Sequence, residues 1–184
     1  MKILNCRLCI YLLALSFFMT YNLSAIEYPI PESEKAVDDL IGQVVPSLSK
    51  KYKMKAFGTA IAMPGGTVKG LGLRFHLLGP LSVEALRKIL VEAGNDFLQL
   101  VNADERVRPF LEVYPFTLDR IEVVLFLIDS KRFDLESPDV GTARIRNGVL
   151  SYEWILRVKG RLTTQKELKE SYAEALKALQ DSSK

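Results

Sequence analysis

Apolar residues recur at helical spacing in three stretches of the chain and alternate along the segments between them. From Leu81 onward, Leu86, Ile89, Leu90, Ala93, Phe97, Leu100 and Val101 mark one face of a long helix. Ser82 is placed to cap it, because its hydroxyl can accept from an orphan amide of the first turn, and Glu84 suits the positive end of the dipole. Asn102 is a natural stop. Gly94 in the interior costs about 1 kcal/mol against Ala, so packing must offset it or the helix bends there. An earlier stripe, Val37, Leu40, Ile41, Val44, Leu48 and Tyr52, predicts a first helix capped by Ser33. Pro46 crowds the carbonyl of Gly42 and predicts a kink or break nearby. A third stripe, Leu168, Tyr172, Ala175, Leu176 and Leu179, predicts a last helix opened by a capping box of Thr164 and Glu167.

The alternating segments read as strands. Around the Pro64-Gly65-Gly66 turn, Phe57, Thr59, Ile61 and Met63 share one side of a first strand, with Gly58, Ala60 and Ala62 on the other. In its partner Leu71, Leu73, Phe75 and Leu77 face one way and Gly70 and Gly72 the other. The bare side admits a helix, another backbone or a ligand at close range, and a packed helix is the simplest expectation. Arg120 to Asp129 is apolar in both phases, which predicts a central strand covered above and below. Asn147-Gly148 supplies the two positive φ angles of a type I′ turn, so Arg146 should lie opposite Val149, Ile145 opposite Leu150, Arg144 opposite Ser151 and Ala143 opposite Tyr152. Ala143, Ile145, Leu150, Tyr152, Trp154 and Leu156 then face the core, and Arg144, Arg146, Ser151 and Glu153 face solvent. Between helix and central strand, Pro109 and Pro115 predict an extended, stiff connection. The expected fold is a single α+β domain over 33–180 in the order α-β-β-α-β-β-β-α. A mainly antiparallel sheet of about five strands is covered by three helices, with an extended lead-in at 26–32 and a polar tail at 181–184.

The first residues set the compartment. Lys2 and Arg7 precede a short apolar core from Leu8 to Met19, and Leu23-Ser24-Ala25 ends in a small residue, the three-part pattern of a signal peptide over 1–25 with cleavage after Ala25. The run is too short for a membrane span, and none is expected in the mature chain. Both cysteines, Cys6 and Cys9, lie inside this segment, as does Asn22-Leu-Ser, the one glycosylation motif, so the mature chain carries no disulfide framework. Removing Lys2 and Arg7 takes the formal charge from +3 to +1 with the signs intermixed, which excludes the concentrated basic stripe of a nucleic-acid binder.

Catalytic chemistry has few residue types to draw on. With no thiol and one histidine in the mature chain, a Cys/His pair and a multi-histidine metal site are excluded, and there is no Gly-x-Ser-x-Gly elbow. The glycines lie in strands and a hairpin turn, not at the strand-to-helix turn of a phosphate loop. Asp129, Asp134, Glu136 and Asp139 lack the alternating pattern and central glycine of a calcium loop. No metal and no cofactor is expected. His76 shares its strand face with Gly70, Gly72 and Arg74, a small, open, cationic patch; a lone histidine is ordinarily structural, since function requires a constellation. In the connection, Arg108 can anchor a carboxylate bidentately, Glu112 can be its partner or a site acid, and Tyr114 combines an apolar body with a polar tip. The competing account is a rigid crossover in which Arg108 caps carbonyls at the end of the preceding helix.

Arg108-Pro109-Phe110-Leu111, followed by Tyr114-Pro115-Phe116-Thr117 and an apolar strand, resembles the motif of an uncharacterised family of small exported bacterial proteins. The resemblance implies export and one domain, and it carries no activity. The leading expectation is an exported, periplasmic or secreted, non-enzymatic domain that binds another envelope or host protein or a small ligand through Arg108, Glu112, Tyr114, Arg74 and His76. Two alternatives stay open: a cofactor-independent hydrolase using acidic residues, and an envelope component or export chaperone held at the membrane surface.

Overall fold

The computed structural model describes residues 29–182; the expected export segment and its cleavage point lie outside the described residues. Helix α1 (Glu32–Tyr52) is followed by β1 (Lys55–Ala62), β2 (Gly70–Leu78), α2 (Val83–Ala103), β3 (Ile121–Ile128), β4 (Thr142–Arg146), β5 (Val149–Val158), β6 (Arg161–Ser171) and α3 (Tyr172–Asp181). The six strands stand side by side in chain order. All neighbours are antiparallel except β2 and β3, which run parallel because α2 carries the chain back across the sheet between them. The expected α+β order is the observed one, with one strand more than expected.

The additional strand is β6. Lys159 and Gly160 adopt φ of 49° and 79°, a second two-residue turn of positive φ, and fold residues 161–171 back along β5. Thr164 therefore pairs with Ile155 in a strand and does not cap a helix. The capping box moves to Ser171, whose hydroxyl accepts from the Glu174 amide at 3.2 Å while the Glu174 carboxylate accepts from the Ser171 amide at 2.7 Å. Ser-x-x-Glu occurs at the true helix start, and its near copy Thr-x-x-Glu seven residues earlier lies in the ladder. The Asn147-Gly148 hairpin has the predicted register at all four pairs.

At the first helix Pro31, not Ser33, occupies the cap position. Ser33 is buried in the first turn, with its hydroxyl 3.2 Å from where a Cβ on Gly66 would lie, so its small side chain lets the Pro64–Gly66 turn close over the helix. The helix runs unbroken through Pro46, since Val44 and Leu48 on either side of it are both buried and that packing outweighs one lost hydrogen bond.

The core lies between one face of the sheet and the helices. Leu86, Leu90, Phe97 and Val101 of α2 pack with Phe75, Val123, Leu125, Ile145 and Tyr152 from four strands. Gly94 sits at the closest approach: a Cβ there would meet Ile145 Cδ1 at 3.6 Å. Polar ties from α2 hold the flanking helices. Asp96 accepts from Tyr52 Oη at 2.8 Å and from Lys51 Nζ at 2.6 Å, and Asn95 accepts from Tyr172 Oη at 2.6 Å. Burial and the Asp96 carboxylate push the Tyr52 phenol up to about 12. Further along, Arg87 Nε donates to both carboxylate oxygens of Glu170 on β6, at 2.8 and 3.1 Å, and Tyr152 Oη donates to the same group at 2.6 Å.

All three helices of the described residues lie on this one face. The expectation that β3 is covered above and below is thus corrected: β3 is central, but among the described residues no helix covers its second face, where Val124 is buried among neighbouring side chains. No helix of the described residues is long and apolar enough to cross a membrane.

Candidate functional site on the helix-free face of the sheet

Strand register sets the helix-free side chains in rows across the sheet. One row reads Ala60, Gly72, Glu122, Arg146, Val149; the next Gly58, Arg74, Val124, Arg144, Ser151, Lys169; and the third His76, Phe126, Thr142, Glu153, Glu167. The middle row is cationic and is flanked by acids in the rows on either side. Across the sheet, Arg144 Nη2 lies 2.7 Å from Glu153 and 3.7 Å from Glu167, its Nε donates to Ser151 Oγ at 3.0 Å, and Lys169 lies 2.8 Å from Glu167. Near the centre Glu122 stands between Arg74 and Arg146 at 3.9 and 3.8 Å.

One end of this face is aromatic. A bulge at Ala56/Gly58 inserts Phe57 into β1 and turns it from the side of Thr59 and Ile61, where simple alternation puts it, to the helix-free side. Its ring stacks on His76 with centroids 4.2 Å apart and planes 10° apart, and meets Phe126 edge-on at 5.3 Å. Phe57 and Leu78 remain 49% and 62% exposed, so this cluster faces outward.

At the other end, where β2 and β3 begin, the small side chains leave a cleft of about 420 Å³. Among the described residues no helix packs on the bare side of the first hairpin, which corrects the expectation of a packed helix. Ala60, Ala62, Gly70 and Gly72 form its floor, and Lys69, Asp119, Arg120, Glu122 and Arg146 stand around it. A second hollow of about 430 Å³, lined by Arg144, Arg146, Asn147, Val149, Ser151 and Lys169, shares Arg146 and Asn147 with the first.

The five residues singled out from sequence fall in three places. Arg74 and His76 lie on the helix-free face as expected from alternation. Glu112 is outside the cleft but tied to its rim, 3.0 Å from Lys69 Nζ and 2.6 Å from Arg120 Nη1. Arg108 and Tyr114 form a separate pair, with the guanidinium 4.7 Å from the phenol ring centroid. The connection itself is less extended than its prolines suggest. Arg108–Phe110 forms a short 3-10 turn, and Val68 bridges to Leu111. Nor does Arg108 cap α2, which runs one residue past the expected stop at Asn102 and has Asp104 at its cap position. Asn102 instead ties the connection to the helix, with Nδ2 donating to the Phe116 carbonyl at 3.0 Å and Oδ1 accepting from the Phe116 amide at 2.6 Å. Sequence reasoning missed Glu122, Arg120 and Lys69. Arg146 was placed on the solvent side by the hairpin register, and only the pairing of β4 with β3 brings it to Glu122.

Lys69, then Arg120, hold the Glu112 carboxyl below its ordinary range. Its contribution is present above the unfolded-state value near 4.5 and is lost as pH falls through the lower folded value. Glu112→Gln should accordingly flatten the loss of stability on acidification from about pH 5 to 3, measured by urea midpoints along a pH series. Asp119 at the cleft is also held low, first by the Thr117 hydroxyl, so it is ionised at neutral pH and cannot serve there as a general acid.

Comparison of the chain with protein-family models, with curated proteins and with solved structures returns no match.

Proposed function

We propose that this chain is an exported binding domain, periplasmic or secreted, that holds its ligand or partner on the helix-free face of the sheet and performs no chemistry of its own. The observation that carries this reading is the composition of that face. A Phe57/His76/Phe126 cluster with Phe57 exposed and a lattice of Arg, Lys and Glu flank an open cleft, with the three helices of the described residues on the opposite side. A surface with apolar anchors beside a few placed charges is what recognition requires, whereas acid and base catalysis requires carboxylates whose affinities for protons are pushed apart.

Two measurements test it. Expressed in a bacterium with its first residues intact, the chain should be recovered outside the cytosol with Ile26 at its amino terminus; full-length product retained in the cytosol overturns the export reading. Crystals soaked with a mixed set of aromatic, carboxylate and sugar fragments should show density on the helix-free face. Fragments seated only among the helices, or nitrophenyl ester hydrolysis abolished by Glu122→Gln, would overturn the binding reading.

A further inference from the structure

We propose that the cleft at the start of β2 and β3 is a site for a small monocarboxylate, with the Arg146 guanidinium as its anchor; this rests on the face assigned above and specifies the ligand class. The charges around the cleft are unequally committed. Lys69 and Arg120 stand against two acids: both meet Glu112, at 3.0 and 2.6 Å, and Arg120 Nε also lies 3.5 Å from Asp119. At the inner side two guanidiniums share the single Glu122 carboxylate at 3.9 and 3.8 Å, beyond hydrogen-bond reach, and Arg74 otherwise makes only a long bond of 3.4 Å to the Thr59 carbonyl. Two positive charges against one negative leave a surplus of one.

That surplus is accessible at Arg146, whose side chain is 62% exposed and borders both hollows. A guanidinium presents two parallel N–H groups that match a carboxylate, and an anion arriving there adds charge-assisted bonds without breaking a good one. The same arithmetic selects against a dianion, because Glu122 stays beside the site and only one charge is uncompensated. The body of the ligand is set by the floor. Ala60, Ala62, Gly70 and Gly72 offer methyl groups and backbone already engaged in the sheet, so the part of the ligand above them is flat and apolar. The floor is also tightly packed beneath the ligand: a Cβ on Gly72 would lie 3.1 Å from Ala60 Cβ and 3.2 Å from Glu122 Oε2.

Benzoate is the probe, with benzamide as its neutral counterpart, each titrated into the labelled protein and followed by 1H–15N NMR. Benzoate should produce saturable shifts at residues 60–62, 70–72, 120–122 and 146–147. Benzamide and the Arg146→Gln variant should each bind about tenfold more weakly, the loss expected of a charge-assisted pair. Ala62→Leu should abolish the shifts by filling the floor, and Lys88→Gln, on the exposed side of α2, should leave them unchanged. Equal binding of benzamide, or full affinity in a folded Arg146→Gln protein, overturns the carboxylate site. So does the absence of benzoate shifts in the wild type. Shifts confined to Phe57, His76 and Phe126 also overturn the cleft while leaving the helix-free face as the binding surface, and the fragment soaks decide that broader reading separately.

Discussion

Replacing Arg87 by methionine should lower the stability of the chain by about 3 kcal/mol, a larger effect than any exposed ion pair of the molecule would give. Arg87 and Glu170 are each 14% exposed, joined by two hydrogen bonds, and the Glu170 carboxylate also takes the Tyr152 proton donor. Removing the cation leaves a nearly buried carboxylate with one neutral donor, and that desolvated charge, more than the lost attraction, sets the cost. Burial first, then the neighbouring Glu170 carboxylate, push the Tyr152 phenol far up, so it remains a neutral donor throughout the usable pH range. The urea midpoint should fall with an unchanged slope, and the thermal midpoint by on the order of 10 °C. Tyr152→Phe should cost only about 1 kcal/mol, one neutral hydrogen bond. The double replacement Arg87→Met with Glu170→Met should recover most of the loss, because it removes both charges and fills the space with apolar volume. A double variant no more stable than Arg87→Met alone would mean that the pair contributes geometry the methionines cannot supply.

This triad also shows what was and was not legible in the chain. Arg87 sits on the polar side of the α2 stripe, and Glu170 was expected inside a helix, so nothing local paired them; only the ladder of β6 against β5 brings Glu170 opposite Leu150 and beside α2. Features set by near neighbours were readable. Ser82 caps α2 as expected, accepting from the Ala85 amide at 3.2 Å, and the Asn147-Gly148 turn dictates its own register because two positive φ angles leave one way to pair the flanking residues. Features set by distant partners were not. Arg161–Ser171 has only Leu162 and Leu168 as apolar residues, too few to mark a strand, and Leu168 falls in with the helical stripe that follows; in the sheet it pairs with β5 alone. Phe57 obeys alternation in sequence and is turned over by a bulge that only pairing with β2 reveals.

The site divides along the same line. That Arg74 and His76 share a face follows from a period of two and was visible; that Glu122 lies beside Gly72 follows from the parallel register of β2 and β3, which a 21-residue helix in the crossover does not specify. Composition did foreshadow the cleft, since Gly58, Ala60, Ala62, Gly70 and Gly72 all fall on one side of the hairpin. It did not foreshadow the placing of all three helices on the other side, because an amphipathic stripe states that a helix is covered and not which layer covers it.

Gly141→Ala should be the most damaging single-methyl change among the described residues, at about 3 kcal/mol, although Gly141 lies in the connection between β3 and β4. The backbone of Gly141 is held on both sides: its amide donates to the Glu153 carbonyl at 2.9 Å, and its carbonyl accepts from the Leu127 amide at 2.9 Å. A Cβ built there would overlap the Ile155 side chain and lie 2.5 Å from the Leu135 carbonyl oxygen. The two obstacles differ in kind. Ile155 can be shortened, but the Leu135 carbonyl belongs to a segment whose own amide donates to the Leu127 carbonyl at 2.9 Å, so moving it breaks the pairing that extends β3. Adding Ile155→Ala to Gly141→Ala should therefore leave the chain less stable than Ile155→Ala alone, with the residual deficit assignable to the carbonyl. Hydrogen exchange should accelerate at the Leu127, Leu135 and Gly141 amides ahead of the α2 amides, since strain at this corner opens the loop against β3 before it reaches the core. If the double variant matched Ile155→Ala in urea, the side chain would be the whole obstacle and the loop would be free to shift.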